Sequence, residues 1–361
     1  MTRRVARFGL TLVVAAAAAS SAALAQQQQP PPSSQDMLTG PVMGYLSDAA
    51  GVLYRLNGLP GSSLMARLGA APGSVRFTRV SQQGRLALIA TSVGEEAGSA
   101  TQLFVARGLD RPEPEMFQIS GSAAEPRLAA FCAASGDSAV LYSEAAGTLQ
   151  LVRGLRGGDR APELLAPVQI AGLGRVSALA CHIAARSVVF AAGEPGNEGL
   201  YSAALGGEAE GLAEPKLAGP VGAAVAITPF EKGMSSLVLD AAGNRLLLAL
   251  HGSGGMIQSI DELAGGAEGV SQPVGVAVTD SGLAALANAG TSSVLVFDIR
   301  TRQAVGAPLE LPVAPTQCER LLTGDVFALG VPRAGAPLYT IDLAAEPRVV
   351  FTPAFHGDSQ Q

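Results

Sequence analysis

The 361-residue chain has no tryptophan, two lysines, three histidines and three cysteines, and aromatic residues make up 4% of it. Each shortage excludes something. Without tryptophan, no repeat unit can be tied by an indole hydrogen bond, and a common stacking platform for planar cofactors is missing. Lys216 and Lys232 are the only lysines, the arginines are scattered, and the net charge is −6, so there is no basic patch for nucleic acid. His182, His251 and His356 stand far apart, and neither His-Glu-x-x-His nor Cys-x-x-Cys occurs, which removes the common zinc signatures. Beyond the N-terminal segment, no apolar run is long enough to cross a bilayer.

The N-terminus reads as an export signal. Arg3, Arg4 and Arg7 precede the apolar run Phe8–Ala19, and Ala23-Leu24-Ala25 is a small-x-small cleavage site before Gln26. Residues 1–25 are expected to be removed. Losing three arginines and no acid leaves 21 bases against 30 acids, a net charge of −9. The segment 26–40 opens with QQQQPPPSSQD and is expected to be a disordered linker with nothing to bury. Residues 41–355 are apolar enough to form one large domain, followed by a polar tail at 356–361.

Within that domain short apolar runs recur. The stretch 273–299 reads as three strands separated by two turns, Val274–Thr279, Leu283–Asn288 and Val294–Ile299. Weaker copies occupy most of the chain. Leu86, Ala139, Val188, Leu237, Leu283 and Val326 open equivalent runs at spacings of 53, 49, 49, 46 and 43 residues. A following strand keeps the same rhythm, as in QLFVAR from Gln102, LQLVR from Leu149 and VLVFDI from Val294. A period of about 40–50 residues with four strands each is the signature of a β-propeller.

The predicted fold is therefore all-β. Six complete units begin near Val75, Pro126, Val176, Val221, Val274 and Thr316. Residues 42–56 and 63–68 supply strands two, three and four of a further unit with no first strand. That gives seven blades, with six as the alternative. Leu86, Val140, Val189, Val238, Leu286 and Phe327, all in second strands, are the predicted core. Cys132 and Cys181 end successive first strands near the axis. Buried free thiols are the expected state. A disulfide needs Cα atoms within about 7 Å. Cys318 has no repeat-related partner.

Residues 273–307 resemble the YVTN-type β-propeller repeat of exported bacterial proteins. Pro273, Gly275, Asp280, Gly282, Asn288 and Asp298 take that repeat's places, while Leu283–Ala287 lacks its usual aromatic and threonine. The resemblance is close for this unit and limited to strand rhythm elsewhere. It implies a propeller in an exported protein, and the missing tryptophan excludes a WD repeat. It implies no activity, since propellers host hydrolases, oxidoreductases and binding scaffolds alike.

No catalytic motif is legible. His251 precedes Gly252-Ser253-Gly254-Gly255, which lacks a nucleophile elbow and reads as a glycine-rich connection. His182 reads as a satisfied structural histidine. Asn288, Glu319 and Asp325 are oxygen ligands without a shared motif, and Asn288 is expected to cap its own turn. The loops between second and third strands share one face. They carry Asp48, Glu95, Glu96, Glu144, Glu194, Glu198 and Asp240 against Arg333 alone, with Arg76, Arg127 and Arg175 in other loops of that face. This is the candidate binding rim.

The expected function is that of a non-catalytic binding or scaffold module, monomeric and periplasmic or extracellular. Its partner would be a protein or a small cationic ligand, with no nucleic acid and no membrane after signal cleavage. The alternative is a lactonase- or esterase-like hydrolase with a metal such as calcium at the axial mouth. No catalytic, metal or cofactor-binding residue is assigned.

Overall fold

A computed structural model describes residues 40–71, 73–92, 101–120, 125–132, 136–158, 161–182, 186–206, 211–230, 234–252 and 254–354. The expected signal peptide, almost all of the linker, and the tail lie outside these residues. The described chain is seven small antiparallel sheets arranged as a seven-bladed β-propeller, with one 3₁₀ turn at Gly266–Glu268.

Blade 1 has three strands, β1 (Val42–Ser47), β2 (Val52–Leu59) and β3 (Ser62–Ala70). Blade 2 has four, β4 (Ser74–Ser81), β5 (Leu86–Ser92), β6 (Thr101–Arg107) and β7 (Glu115–Ile119). Blades 3 to 7 repeat the blade 2 pattern, beginning at Pro126, Arg175, Ala224, Pro273 and Glu319; in blades 3 and 6 the outer strand is broken into two short pieces.

The pairing of first and second strands carries a repeated irregularity. Register shifts fall between Val75 and Phe77, Pro126 and Leu128, Val176 and Ala178, Ala224 and Ala226, and Pro273 and Gly275. In blades 2 to 6, then, one residue is left over at the start of the inner strand. The five are Arg76, Arg127, Ser177, Val225 and Val274. A bulge re-aims the side chain it carries, and at Arg127 and Ser177 the re-aimed group bonds a rim carboxylate.

Second strands are apolar on both faces because each lies inside a blade and between two blades. Leu86, Val140, Val189, Val238, Leu286 and Phe327 are all buried, as their sequence predicted. Val238 packs with Val189, Ala191 and Leu247 across the interface of blades 4 and 5. Val238→Ala should cost about 1–3 kcal/mol through lost burial and a residual cavity. Urea unfolding checks this, and an unchanged midpoint would contradict the packing.

The cysteines correct an expectation. Cys132 and Cys181 are joined in a disulfide, with Cα atoms 4.4 Å apart across 49 residues. Adjacent inner strands converge toward the axis, so positions one repeat apart come within bonding range. Cys318 is half-buried and free, and burial pushes its thiol up to about 12.

Candidate functional site

Blade 1 has three strands among the described residues, which leaves a notch. β1 is a second strand by its direction. Its start lies beside Leu322, just past the first strand of blade 7, since the Met43 carbonyl accepts the Leu322 N–H at 2.9 Å. Beyond its far end, a Cβ on Gly51 would strike Val75 at the beginning of β4. β1 therefore runs against its inner-strand neighbours, and the inner position of its own sheet is unfilled among the described residues.

Two neighbours cover part of the exposed edge. Gln82, in the turn after β4, donates its Nε2 to the Tyr45 carbonyl at 2.7 Å and accepts the Tyr45 N–H at Oε1 at 2.9 Å. This amide takes the place of one peptide group of the missing strand. Leu321 fills the space over Gly44, where a Cβ would lie 2.9 Å from its Cδ2.

The other half, toward Ser47 and Asp48, stays open as a cleft of about 200 Å³. Thr78 and Arg79 of β4 line one wall, and Gln317 and Glu319 of blade 7 the other. The inner strand PVGVAV at 273–278 is small and apolar, whereas β4 reads SVRFTRVS and leaves Ser74, Arg76 and Arg79 exposed. The flanking strand β4 is thus built to face water. Burial raises the pKa of the Glu319 carboxyl, and the Arg79 charge acts the other way.

The rim acids are placed as follows. Asp48 closes its own turn, its Oδ1 accepting the N–H groups of Ala50 and Val52, both at 2.9 Å, and its Oδ2 the Tyr54 hydroxyl. Burial, with Asp48 alongside, pushes Tyr54 up to about 12. Glu144 pairs with Arg127 of its own blade and with Arg175 of the next. Glu198 is buried and accepts the Ser177 hydroxyl at 2.6 Å and the Ala224 N–H at 2.9 Å. Asp240 is wholly buried. It accepts the N–H groups of Gly222, Ala223 and Gly243 and holds Arg245 at 2.6 Å. Glu194 is exposed, and its carboxylate has no partner among the described residues. Glu95 and Glu96 lie outside the described residues. Four of the five described rim carboxylates are thus engaged with backbone, hydroxyl or arginine groups.

Asn288 differs from its expected role. Its side chain accepts the Ser271 N–H at 3.1 Å and donates to the Gly269 carbonyl at 3.0 Å. It holds the loop entering blade 6 rather than the turn beside it, and Asp240 does the same for the loop entering blade 5. Glu319 lines the notch, on a different blade from Asn288. Among the described residues no group of three metal-ligating acids, histidines or cysteines forms.

Sequence spacing gave no sign of one cluster. Ser236 Oγ lies 3.1 Å from His182 Nε2 and 2.8 Å from His251 Nε2, and His251 Nδ1 is 3.1 Å from the Gly255 carbonyl. That carbonyl can only accept, so neutral His251 carries its proton on Nδ1 and takes the Ser236 hydroxyl proton at Nε2. Ser236 then accepts from His182. The residues belong to two blades, so only ring assembly joins them. Burial lowers the His251 pKa, against the Gly255 hydrogen bond. Ser236 is wholly buried, so the cluster acts as an interblade tie with no substrate access.

Comparison with known proteins locates the fold and no more. No family model matches, and no curated protein matches. Among solved structures, a proposed 6-phosphogluconolactonase from Bacteroides fragilis superposes with a TM-score of 0.62 at 11% identity, covering 87% of this chain and 95% of that one. Sqt1 from Chaetomium thermophilum gives 0.52 at 13% identity over 75% of this chain and 69% of that one. Sqt1 bound to the N-terminus of the ribosomal protein L10 gives 0.51 at 12% identity, covering 72% and 69%.

Proposed function

We propose that this protein is an exported, non-catalytic binding module, a propeller of the YVTN-repeat type whose face bearing the second-to-third-strand loops receives a protein partner. The observation that carries the reading is the polar notch in blade 1, where no inner strand stands among the described residues and the flanking strand β4 is water-facing. Export is supported by the N-terminal pattern Arg3–Ala25 and by the Cys132–Cys181 disulfide, a bond that persists in oxidising compartments. The YVTN-type reading rests on residues 273–307. The propeller Sqt1 binding the N-terminus of another protein shows that this fold accommodates a chain terminus. Among the described residues the Ser236–His182–His251 cluster is sealed from solvent, which favours binding over hydrolysis.

The deciding experiment presents the purified protein with a panel of lactones and esters, with and without calcium. No turnover above the uncatalysed rate is expected in either condition. Calcium-dependent hydrolysis would replace this reading with that of a lactonase-like enzyme.

A further inference from the structure

Resting on the binding reading above, we infer that the notch takes an extended acidic segment of a partner polypeptide. The segment adds as an inner strand along the Ser47 end of β1 and sets its carboxylates against Arg76 and Arg79.

The backbone comes first. In an antiparallel strand, alternate residues turn their N–H and C=O groups to the same side. Tyr45 turns both away from β2 and gives them to Gln82, so Ser47, two residues on, faces the same way. No backbone partner for Ser47 exists among the described residues, and its side chain lines the cleft. An exposed edge with unpaired amide groups is a template for another strand. The Gln82 amide shows what this edge selects, because it bonds Tyr45 as a donor and acceptor together.

Charge then sets the partner's character. Arg76 and Arg79 are exposed on β4, and neither forms an ion pair among the described residues. Asp48, the nearest rim acid, already holds two backbone N–H groups and the Tyr54 hydroxyl. Glu319 is the one other acid in the wall. Two exposed guanidinium groups, of which Arg79 acts on Glu319 only through its charge and neither forms an ion pair among the described residues, fit an acidic segment, since an arginine fork matches a carboxylate. This reverses the sign that a count of rim acids gives, because those acids are mostly engaged.

The test uses a phage-displayed library of random dodecapeptides against the purified full chain, with affinities of selected peptides then measured by fluorescence polarisation. Selected peptides should be rich in Asp and Glu and should bind more weakly as salt rises. Ser47→Pro removes the edge N–H and should weaken binding by about tenfold or more. Arg79→Gln leaves the backbone intact and should weaken it by about tenfold, which decides the matter if Ser47→Pro fails to fold. Gln82→Ala removes the competing amide and should tighten it. Binders indifferent to Ser47→Pro and Arg79→Gln would overturn the inference while leaving a binding module with another surface. Binding only in a chain ended at Ala354 would assign the notch to residues 355–361 and also overturn it. A library yielding no binder would sink this inference and the binding reading together.

Discussion

Asp240→Ala is expected to destabilise the propeller by about 3 kcal/mol, the upper end of the range for hydrogen bonds to a charged group. The carboxylate is wholly buried and accepts three backbone N–H groups around the entry to blade 5, besides Arg245. Removing it takes the acceptor from all three donors at once, on the half-buried Gly222 and Ala223 and the exposed Gly243. Arg245 is partly exposed, so most of the effect comes from the backbone donors. Burial pushes the Asp240 pKa upward, but hydrogen bonds from Ala223, Arg245, Gly243 and Gly222 outweigh it and hold it below the usual value. The pH dependence follows in sign. A carboxyl lowered in the folded state stabilises above its unfolded pKa, near 3.9, and the contribution fades as pH falls through the lower folded value. Urea unfolding should therefore show the full gap between wild type and variant at neutral pH, narrowing below about pH 4. A gap that persists unchanged in acid would contradict the ionised role of Asp240.

Loss of the Cys132–Cys181 disulfide is expected to have a comparable effect. The bond closes a loop across 49 residues, for which the chain-entropy relation gives about 4 kcal/mol. With an unfolding entropy that scales with chain length, this lowers the melting temperature by about 6 °C. Cys132→Ala combined with Cys181→Ala, or reduction of the wild type, should show that drop in calorimetry. Cys318→Ala should not, because Cys318 belongs to no bridge. Thiol titration of the unreduced, unfolded chain should find one free thiol, and three would mean that the bridge is absent.

Strands, period and core were legible before any coordinates. A side-chain alternation of two and a run of β-branched or aliphatic residues are local properties, so Leu86–Ser92 and Leu283–Asn288 declare themselves wherever they sit. The reading of residues 42–56 and 63–68 as strands two to four of a blade was legible for the same reason. The role of Asn288 was not, since its partners Ser271 and Gly269 lie 17 and 19 residues away in a loop that assembly brings beside it. Nor was Arg79, whose sequence context is an unremarkable polar strand position.

The sequence by itself determined seven repeated sheets, the buried second strands and the three strands of blade 1 at residues 42–70. These depend on which residues seek burial and at what spacing. Only the tertiary structure decided what the polar groups do. Whether a carboxylate is free charge or a ligand of the backbone depends on which N–H groups reach it: for Asp240 they include those of the loop entering its own blade, and for Glu198 that of Ala224 at the start of the next blade. Buried donors must find an acceptor, so packing blade against blade drew acids off the rim, joined Cys132 to Cys181, and left Arg76 and Arg79 without an ion pair among the described residues beside the Ser47 end of β1.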